Sequence, residues 1–240
     1  MNSKTLISAM LIFSFPFSTN AEPIGIILED KTEIFGELSM DNSEANSALL
    51  LHQCNRNLNM WKPLVEELEA RGFSILTVDM RGYGRSASET FDIEKHDYEY
   101  VTQHFRKDID QINKYWRQHL PDSRQRVVVG ASCGGGLATK SAVMFQDIKA
   151  LVLFSPSLRE HWIDEKYRRK LADRPSLPIL GIASESDSNA MMAIESTFAQ
   201  SQSDLSQKVI YKGDRHGEPL FAHDPELANY ISDWIERVVR

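Results

Sequence analysis

Cysteine and clusters of positive charge are what this chain has least of. Its 240 residues include two cysteines, Cys54 and Cys133, which are too few for the disulfide framework of a small secreted domain. No spacing of Cys and His resembles a zinc site, and neither a metal nor an organic cofactor is expected. Acidic side chains outnumber basic ones by 34 to 27, and the basic ones form no cluster. These shortages argue against nucleic acid or an anionic lipid surface as a partner.

Long apolar runs are also rare, and the clearest one lies near the N-terminus. The run 6–17 is interrupted only by Ser and Pro, Lys4 is the only charge before it, and Ala21 provides a small residue after it. This pattern is typical of a secretory signal peptide, 1–21, that is cleaved after Ala21. The run is too short and too interrupted to span a bilayer, so no stable membrane insertion is expected after cleavage. The sequence therefore predicts a periplasmic or secreted protein.

The remaining segment, 22–240, is predicted to form one α/β domain. The whole chain is 42% hydrophobic and 25% charged, which is ordinary for a globular protein. The predicted strands are 24–28, 34–40, 48–51, 73–78, 126–129, 148–154, 178–183 and 208–211, and helical periodicity covers 61–68, 101–116, 190–199 and 224–240. An initial antiparallel hairpin followed by this alternation favours a mostly parallel central sheet with helices on both faces. In such sheets, ligands bind at the carboxyl ends of the strands.

The sequence Gly130-Ala131-Ser132-Cys133-Gly134 lies between a β-branched run and a glycine- and alanine-rich helical pattern. A Gly-x-Ser-x-Gly turn between strand and helix holds its serine at a strained backbone position, with the hydroxyl above the sheet. Its two glycines leave room for the strand and the helix to pass closely. A serine in an ordinary turn is the alternative, but the strand–turn–helix context favours Ser132 as a nucleophile.

A serine nucleophile needs a base, and the base needs a carboxylate that orients it. His216 follows the last predicted strand and precedes the last helix, so it is preferred over His223 as the base. Glu185 and Asp187 both follow the strand before it. Asp187 lies deeper in the turn and is predicted as the acid, although its role could be limited to capping the next helix. The order Ser132, Asp187, His216 is the one associated with the α/β-hydrolase sheet.

At these motifs the chain resembles the α/β-hydrolase superfamily, over nearly all of 22–240. The matching pieces are 49–52, the Asp-Met-Arg-Gly-Tyr-Gly-Arg-Ser segment at 79–86, the pentapeptide 130–134, and the loops with Asp187 and His216. The resemblance implies the α/β-hydrolase fold and a Ser-His-Asp enzyme. The histidine loop is similar to that of small dienelactone-hydrolase-like and serine-peptidase-like members.

The chain departs from the family pattern where the usual His-Gly pair is His52-Gln53. The resemblance implies that the backbone amides of Cys54 and Cys133 form the oxyanion hole, and that His52 braces the loop rather than taking part in catalysis. Only the segment 156–177 is available between two strands for a cap, so a minimal lid or none is expected.

If both amides face one oxyanion, the Cα atoms of Cys54 and Cys133 are expected to lie about 5–7 Å apart, which overlaps the range that a disulfide needs. Export would bring the chain to a compartment in which thiols oxidise. A Cys54–Cys133 bridge is therefore one hypothesis. The alternative is a pair of free thiols that line the site and point apart.

The predicted function is that of a serine hydrolase that cleaves a carboxylic ester of a small molecule. Lactone or dienelactone hydrolysis, thioester hydrolysis and peptide-bond cleavage by a peptidase or amidase are the enzymatic rivals. A non-catalytic binding protein on the same scaffold is the rival from another class, because a fold does not by itself imply a function.

Overall fold

The computed structural model describes residues 21–41, 45–89 and 91–240, so the predicted signal segment lies outside it except for Ala21. Eight strands in the described part of the chain form one sheet. They are β1 (Ala21–Ile27), β2 (Glu33–Ser39), β3 (Ser47–Leu51), β4 (Ser74–Val78), β5 (Arg126–Ala131), β6 (Ile148–Phe154), β7 (Ile179–Ser184) and β8 (Gln207–Tyr211). Their order across the sheet is β1-β2-β4-β3-β5-β6-β7-β8.

The first two strands form the predicted antiparallel hairpin, and β2 also pairs antiparallel with β4. The neighbours from β4 to β8 pair in parallel. The mostly parallel sheet with an N-terminal hairpin is thus confirmed. Each predicted strand is present, and each of its ends lies within three residues of the predicted position.

The central strands are apolar on both faces because helices cover both. Leu49 and Leu51 of β3 point to one core, and Leu50 between them points to the other. Side chains of a strand alternate between faces, so a strand covered on both sides appears as an unbroken apolar run. This explains the Ala-Leu-Leu-Leu run in the sequence.

Seven α-helices in the described residues surround the sheet. They are α1 (Lys62–Glu69), α2 (Tyr98–His119), α3 (Cys133–Met144), α4 (Glu165–Lys170), α5 (Ser188–Phe198), α6 (Pro219–His223) and α7 (Leu227–Val239). Leu64 of α1 and Trp234 of α7 pack in one core, and Ile109 of α2 and Leu137 of α3 pack in the other.

Two details refine the expectations. The last helix begins at Leu227 rather than at Pro225, because Asp224 accepts hydrogen bonds from the Glu226 N–H and the Tyr211 hydroxyl and forms a separate turn. The segment between β6 and β7 holds only α4 and one further 3-10 turn, as the expected minimal lid requires. Within the described residues, no helix combines the length and apolarity that crossing a membrane needs.

Candidate active site

Ser132 occupies a sharp turn between β5 and α3. Its φ of 51° and ψ of −117° lie in a region that costs a non-glycine residue of order 1–3 kcal/mol. Three backbone hydrogen bonds hold it there: its N–H donates to the Phe154 carbonyl at 3.0 Å, and its carbonyl accepts from Gly135 at 2.9 Å and from Ser157 at 2.8 Å. The side chain itself is half-buried. The turn has the geometry expected for the proposed nucleophile.

The two glycines of the pentapeptide are needed for close packing at this turn. A β-carbon on Gly130 would overlap the carbonyl of Gly134 across the turn. One on Gly134 would overlap the carbonyls of Leu51 and His52, where β3 ends. A side chain at position 130 would therefore push β5 away from α3, and one at position 134 would push the start of α3 away from β3 and from the loop that follows it.

Asp187 and His216 meet after β7 and β8. The Nδ1 atom of His216 lies 2.6 Å from Oδ2 of Asp187, whose side chain is 10% exposed. Oδ1 of the same carboxylate accepts a hydrogen bond from the Ala190 N–H at 3.3 Å, at the start of α5. Asp187 therefore caps the helix and also holds the histidine, so the two interpretations of this residue are compatible.

Ser132, Asp187 and His216 follow β5, β7 and β8, which run parallel, so the three residues lie at the same edge of the sheet. The other candidates lie differently. Glu185 is exposed and bonds through its backbone N–H to the Tyr211 carbonyl. The ring of His223 lies on α6, 5.6 Å from the ring of Tyr211.

Three side chains that the sequence analysis did not identify hold the loop around His216. The buried Oγ of Ser155 accepts from the Gly217 N–H at 2.9 Å, and Oγ of Ser184 donates to the Arg215 carbonyl at 2.8 Å. Oε1 of Gln53 accepts from the Glu218 N–H at 2.8 Å. The position of Ser155 and Ser184, at the carboxyl ends of β6 and β7, was the only sequence signal for such a role.

His52 is a structural residue, as expected. Its ring is fully buried, Nδ1 lies 2.7 Å from the Gln53 carbonyl, and Nε2 accepts from the Met80 N–H at 2.9 Å. Burial lowers the pKa of His52 to about 4, although the Gln53 carbonyl and the charge of Asp79 favour the protonated form. The ring is neutral at pH 7, with its proton on Nδ1.

Cys54 and Cys133 form a disulfide, with their Cα atoms 5.9 Å apart and a sequence separation of 79. The bridged hypothesis holds, and the alternative of thiols that point apart is wrong in this structure. The bridge joins the loop after β3 to the first residue of α3. In addition, the Cys54 N–H lies 2.7 Å from Sγ of Cys133. No group of three or more metal-ligating side chains occurs in the described residues.

Comparisons with known proteins agree with this fold. The chain resembles solved structures across more than nine-tenths of its length. The Pyrococcus furiosus esterase Pf2001 has a TM-score of 0.70 and 15% identity, covering 93% of this chain and 94% of that one. A carboxyl esterase from Bacillus coagulans has a TM-score of 0.70 and 12% identity, covering 92% and 99%. A dienelactone hydrolase from Anabaena variabilis has a TM-score of 0.63 and 19% identity, covering 92% and 100%.

No curated protein matches the chain in sequence. The family model described as the alpha/beta hydrolase fold matches residues 49–177, which is more than half of the chain and includes the Ser132 turn. The chain belongs to the α/β-hydrolase fold family.

Proposed function

We propose that this protein is a serine hydrolase that cleaves a carboxylic ester of a small molecule through an acyl-enzyme. The observation that carries the proposal is the hydrogen-bonded Asp187–His216 pair at the sheet edge where the strained Ser132 turn lies. The family supports hydrolysis in general, and the structural neighbours described as esterases favour an ester as the bond that is cleaved.

The roles follow from the chemistry of the three side chains. The hydroxyl of Ser132 attacks the ester carbonyl while His216 takes its proton through Nε2, because Nδ1 is occupied by Asp187. His216 then gives that proton to the departing alcohol. Water, activated by the same histidine, releases the acid and restores Ser132. Asp187 keeps the tautomer and stabilises the imidazolium.

The oxyanion of each tetrahedral intermediate is stabilised by the backbone N–H groups of Cys54 and Cys133. Cys133 opens α3, so its N–H has no partner within the helix. The Cys54 N–H faces the bridged sulfur of Cys133. Sulfur is a weak acceptor, so an oxyanion, which forms a charge-assisted hydrogen bond, displaces it at low cost.

Export of the protein is part of the same proposal. A disulfide persists in the periplasm or outside the cell and is rare in the cytosol, so the Cys54–Cys133 bridge supports the predicted signal peptide. Cleavage after Ala21 would remove only the first residue of β1, which pairs with Ser39. Mass spectrometry of the protein purified from its native host should find Glu22 at the N-terminus. An intact Met1 there would refute the proposal of export.

Labelling with a fluorophosphonate tests the chemistry, because the probe reacts with activated serines. The wild type should be labelled and should hydrolyse esters in a chain-length panel, and Ser132→Ala should do neither. Ser157→Ala is the matched control: Ser157 is also half-buried and contacts the turn only through its backbone N–H, so labelling should remain. A folded wild type that is neither labelled nor active would favour the non-catalytic binding protein.

A further inference from the structure

Four polar side chains lie near one another between the loop after β3 and the start of α5. We call Tyr83, Tyr98, Arg159 and Asn189 the rim. Burial raises the pKa of Tyr83, and a hydrogen bond from the Asn55 backbone to its phenol opposes that rise. Burial also raises the pKa of Tyr98, whose phenol is close enough to feel the charge of Arg159 and the phenol of Tyr83.

The rim ends beside the candidate acid. A guanidinium nitrogen of Arg159 donates a hydrogen bond to Oδ1 of Asn189. Asn189 lies two residues after Asp187, and Arg159 lies two residues after Ser157, whose N–H bonds to the Ser132 carbonyl. The rim therefore starts next to Cys54, ends next to Asp187, and is joined to the nucleophile turn between these points.

Arg159 is the cation of this rim, and it has no acidic partner. Within residues 21–41, 45–89 and 91–240, it forms no ion pair, whereas Arg168 and Arg169 of the nearby α4 are both paired with Glu165. The bond to Asn189 orients the guanidinium and supplies no opposite charge, and the neighbouring Glu160 lines the same cleft without an ion pair to Arg159. The whole chain carries a net charge of −7 at pH 7, so a local positive group here is a departure from the general surface.

Next to the rim lies an open cleft of about 590 Å³, whose lining includes Arg159 and Asn189. Its apolar lining comes from Leu158, Ala193 and Met192, and the Met192 side chain is 68% exposed. Leu158 and Ala193 belong to one small apolar cluster. Glu160, His161 and Arg168 also line the cleft, and Arg168 is paired with Glu165. The cleft thus offers apolar walls for a short carbon chain and, in Arg159, a cation without an ion pair for the end of that chain.

We propose that Arg159, oriented by Asn189, binds a carboxylate that is carried by the substrate. This inference rests on the proposed esterase function, and it names the substrate class as esters with a free carboxylate. The planar guanidinium presents paired donors that match a carboxylate. The protein as a whole is acidic, so its net charge repels anionic esters. A preference for such esters would therefore have to come from a local contact with a cation such as Arg159.

The test compares anionic esters with neutral ones of similar length by following proton release at constant pH. One series places the charge on the acyl side: monoethyl glutarate, adipate and pimelate against ethyl valerate, hexanoate and heptanoate. A second places it on the alcohol side: 4-acetoxybutyrate against butyl acetate. The wild type should have a higher kcat/KM for the anionic member of at least one series. On the acyl side, its kcat/KM should be highest at one chain length. Equal kcat/KM for both members in each series would overturn the proposal.

Variants assign the preference to Arg159. Arg159→Gln should lower kcat/KM for the preferred anionic ester by about 10–100-fold and leave the neutral ester within about twofold. Arg159→Lys should retain part of the preference. Arg169→Gln removes the same charge from an exposed position that is paired with Glu165, and it should change neither ester. An equal effect of the two glutamine variants would show that only net charge matters and would overturn the proposal.

A binding measurement separates this inference from the esterase proposal. In the Ser132→Ala background, calorimetry with monoethyl adipate should detect binding that is lost on adding Arg159→Gln. If the wild type neither hydrolyses esters nor reacts with the fluorophosphonate, the esterase proposal fails, and this loss of binding still supports the rim as a carboxylate site. Equal affinity for monoethyl adipate with and without the Arg159→Gln change refutes the proposed carboxylate site, whether or not the wild type is active.

Discussion

Removing the Cys54–Cys133 disulfide should destabilise the protein by an amount that depends on the length of the loop that the disulfide closes. The bridge closes a loop with a sequence separation of 79. In the chain-entropy model, a loop of this length contributes up to about 4–5 kcal/mol to the free energy of unfolding. For a domain of this size, that corresponds to a loss in Tm of about 10–15 °C. Local effects in the folded protein can offset part of this stabilisation, so we expect the unfolding free energy to fall by about 2–5 kcal/mol when the disulfide is removed.

The effect on activity should exceed what stability explains. The bridge fixes the loop of Cys54 to the first residue of α3, and both residues are proposed to donate to one oxyanion. Loss of one oxyanion donor costs about 10²–10³ in kcat, so a loosened donor should cost part of that. Cys54→Ala/Cys133→Ala keeps both backbone amides and the apolar character of the buried Cys133 site, so it removes only the tether and the sulfur that the Cys54 N–H faces.

The assay begins with thiols counted by alkylation of denatured, unreduced protein from the native compartment, where none should be labelled. Urea unfolding and kcat are then measured well below Tm, with and without reductant. The reduced wild type should match the double alanine variant, and reductant should leave that variant unchanged. Two labelled thiols, or a double variant with an unfolding free energy within about 1 kcal/mol and an unchanged kcat, would refute the reasoning.

Three further outcomes follow from single side chains. Ser132→Ala should abolish hydrolysis but keep the unfolding free energy within about 1 kcal/mol, as urea titration would measure. Asp187→Asn should lower kcat by up to about 10⁴, far more than Glu185→Gln; the reverse ranking in steady-state kinetics would move the acid to Glu185. His52 has a folded pKa of about 4, below its ordinary 6.5. The unfolded chain therefore binds more protons between these values, and His52 makes the unfolding free energy rise with pH there by up to about 3 kcal/mol. His52→Gln should flatten that rise in urea titrations from pH 4 to 7, and an unchanged pH dependence would contradict it.

Local patterns were sufficient to predict the strands, five of the seven described α-helices and the nucleophile turn; α4 and α6 were not predicted. The apolar run of β3 and the glycines around Ser132 each form a pattern within a few consecutive residues, so they are visible without a structure, although the packing that requires them is tertiary. The start of the last helix was misplaced by two residues. The reason is a tertiary contact, the bond from the Tyr211 hydroxyl to Asp224, which no helical periodicity reveals.

The site was predictable only where topology restricted the choices. Parallel strands bring their carboxyl ends to one edge, which singled out the loops of Asp187 and His216. The contacts that hold these loops join distant segments: Ser155 reaches Gly217 across 62 residues, and Arg159 reaches Asn189 across 30. The sequence indicates neither partner, because each contact depends on how the loops pack; it shows only that Ser155 lies at the carboxyl end of β6.

Gln53, which stands where the family pattern has glycine, forms a second connection between loops of the site, in addition to the Cys54–Cys133 disulfide. A glycine at this place would have no side chain to reach the histidine loop, and the Glu218 N–H would lose its acceptor, which costs about 1–3 kcal/mol for a buried group. The glutamine amide instead fills the space that Gly217 leaves open, and its side chain is almost completely buried. The loop after β3 is thereby joined to α3 by sulfur through Cys54 and to the histidine loop by an amide through Gln53. Adjacent residues thus tie the proposed oxyanion donor to the segments that carry the nucleophile and the base.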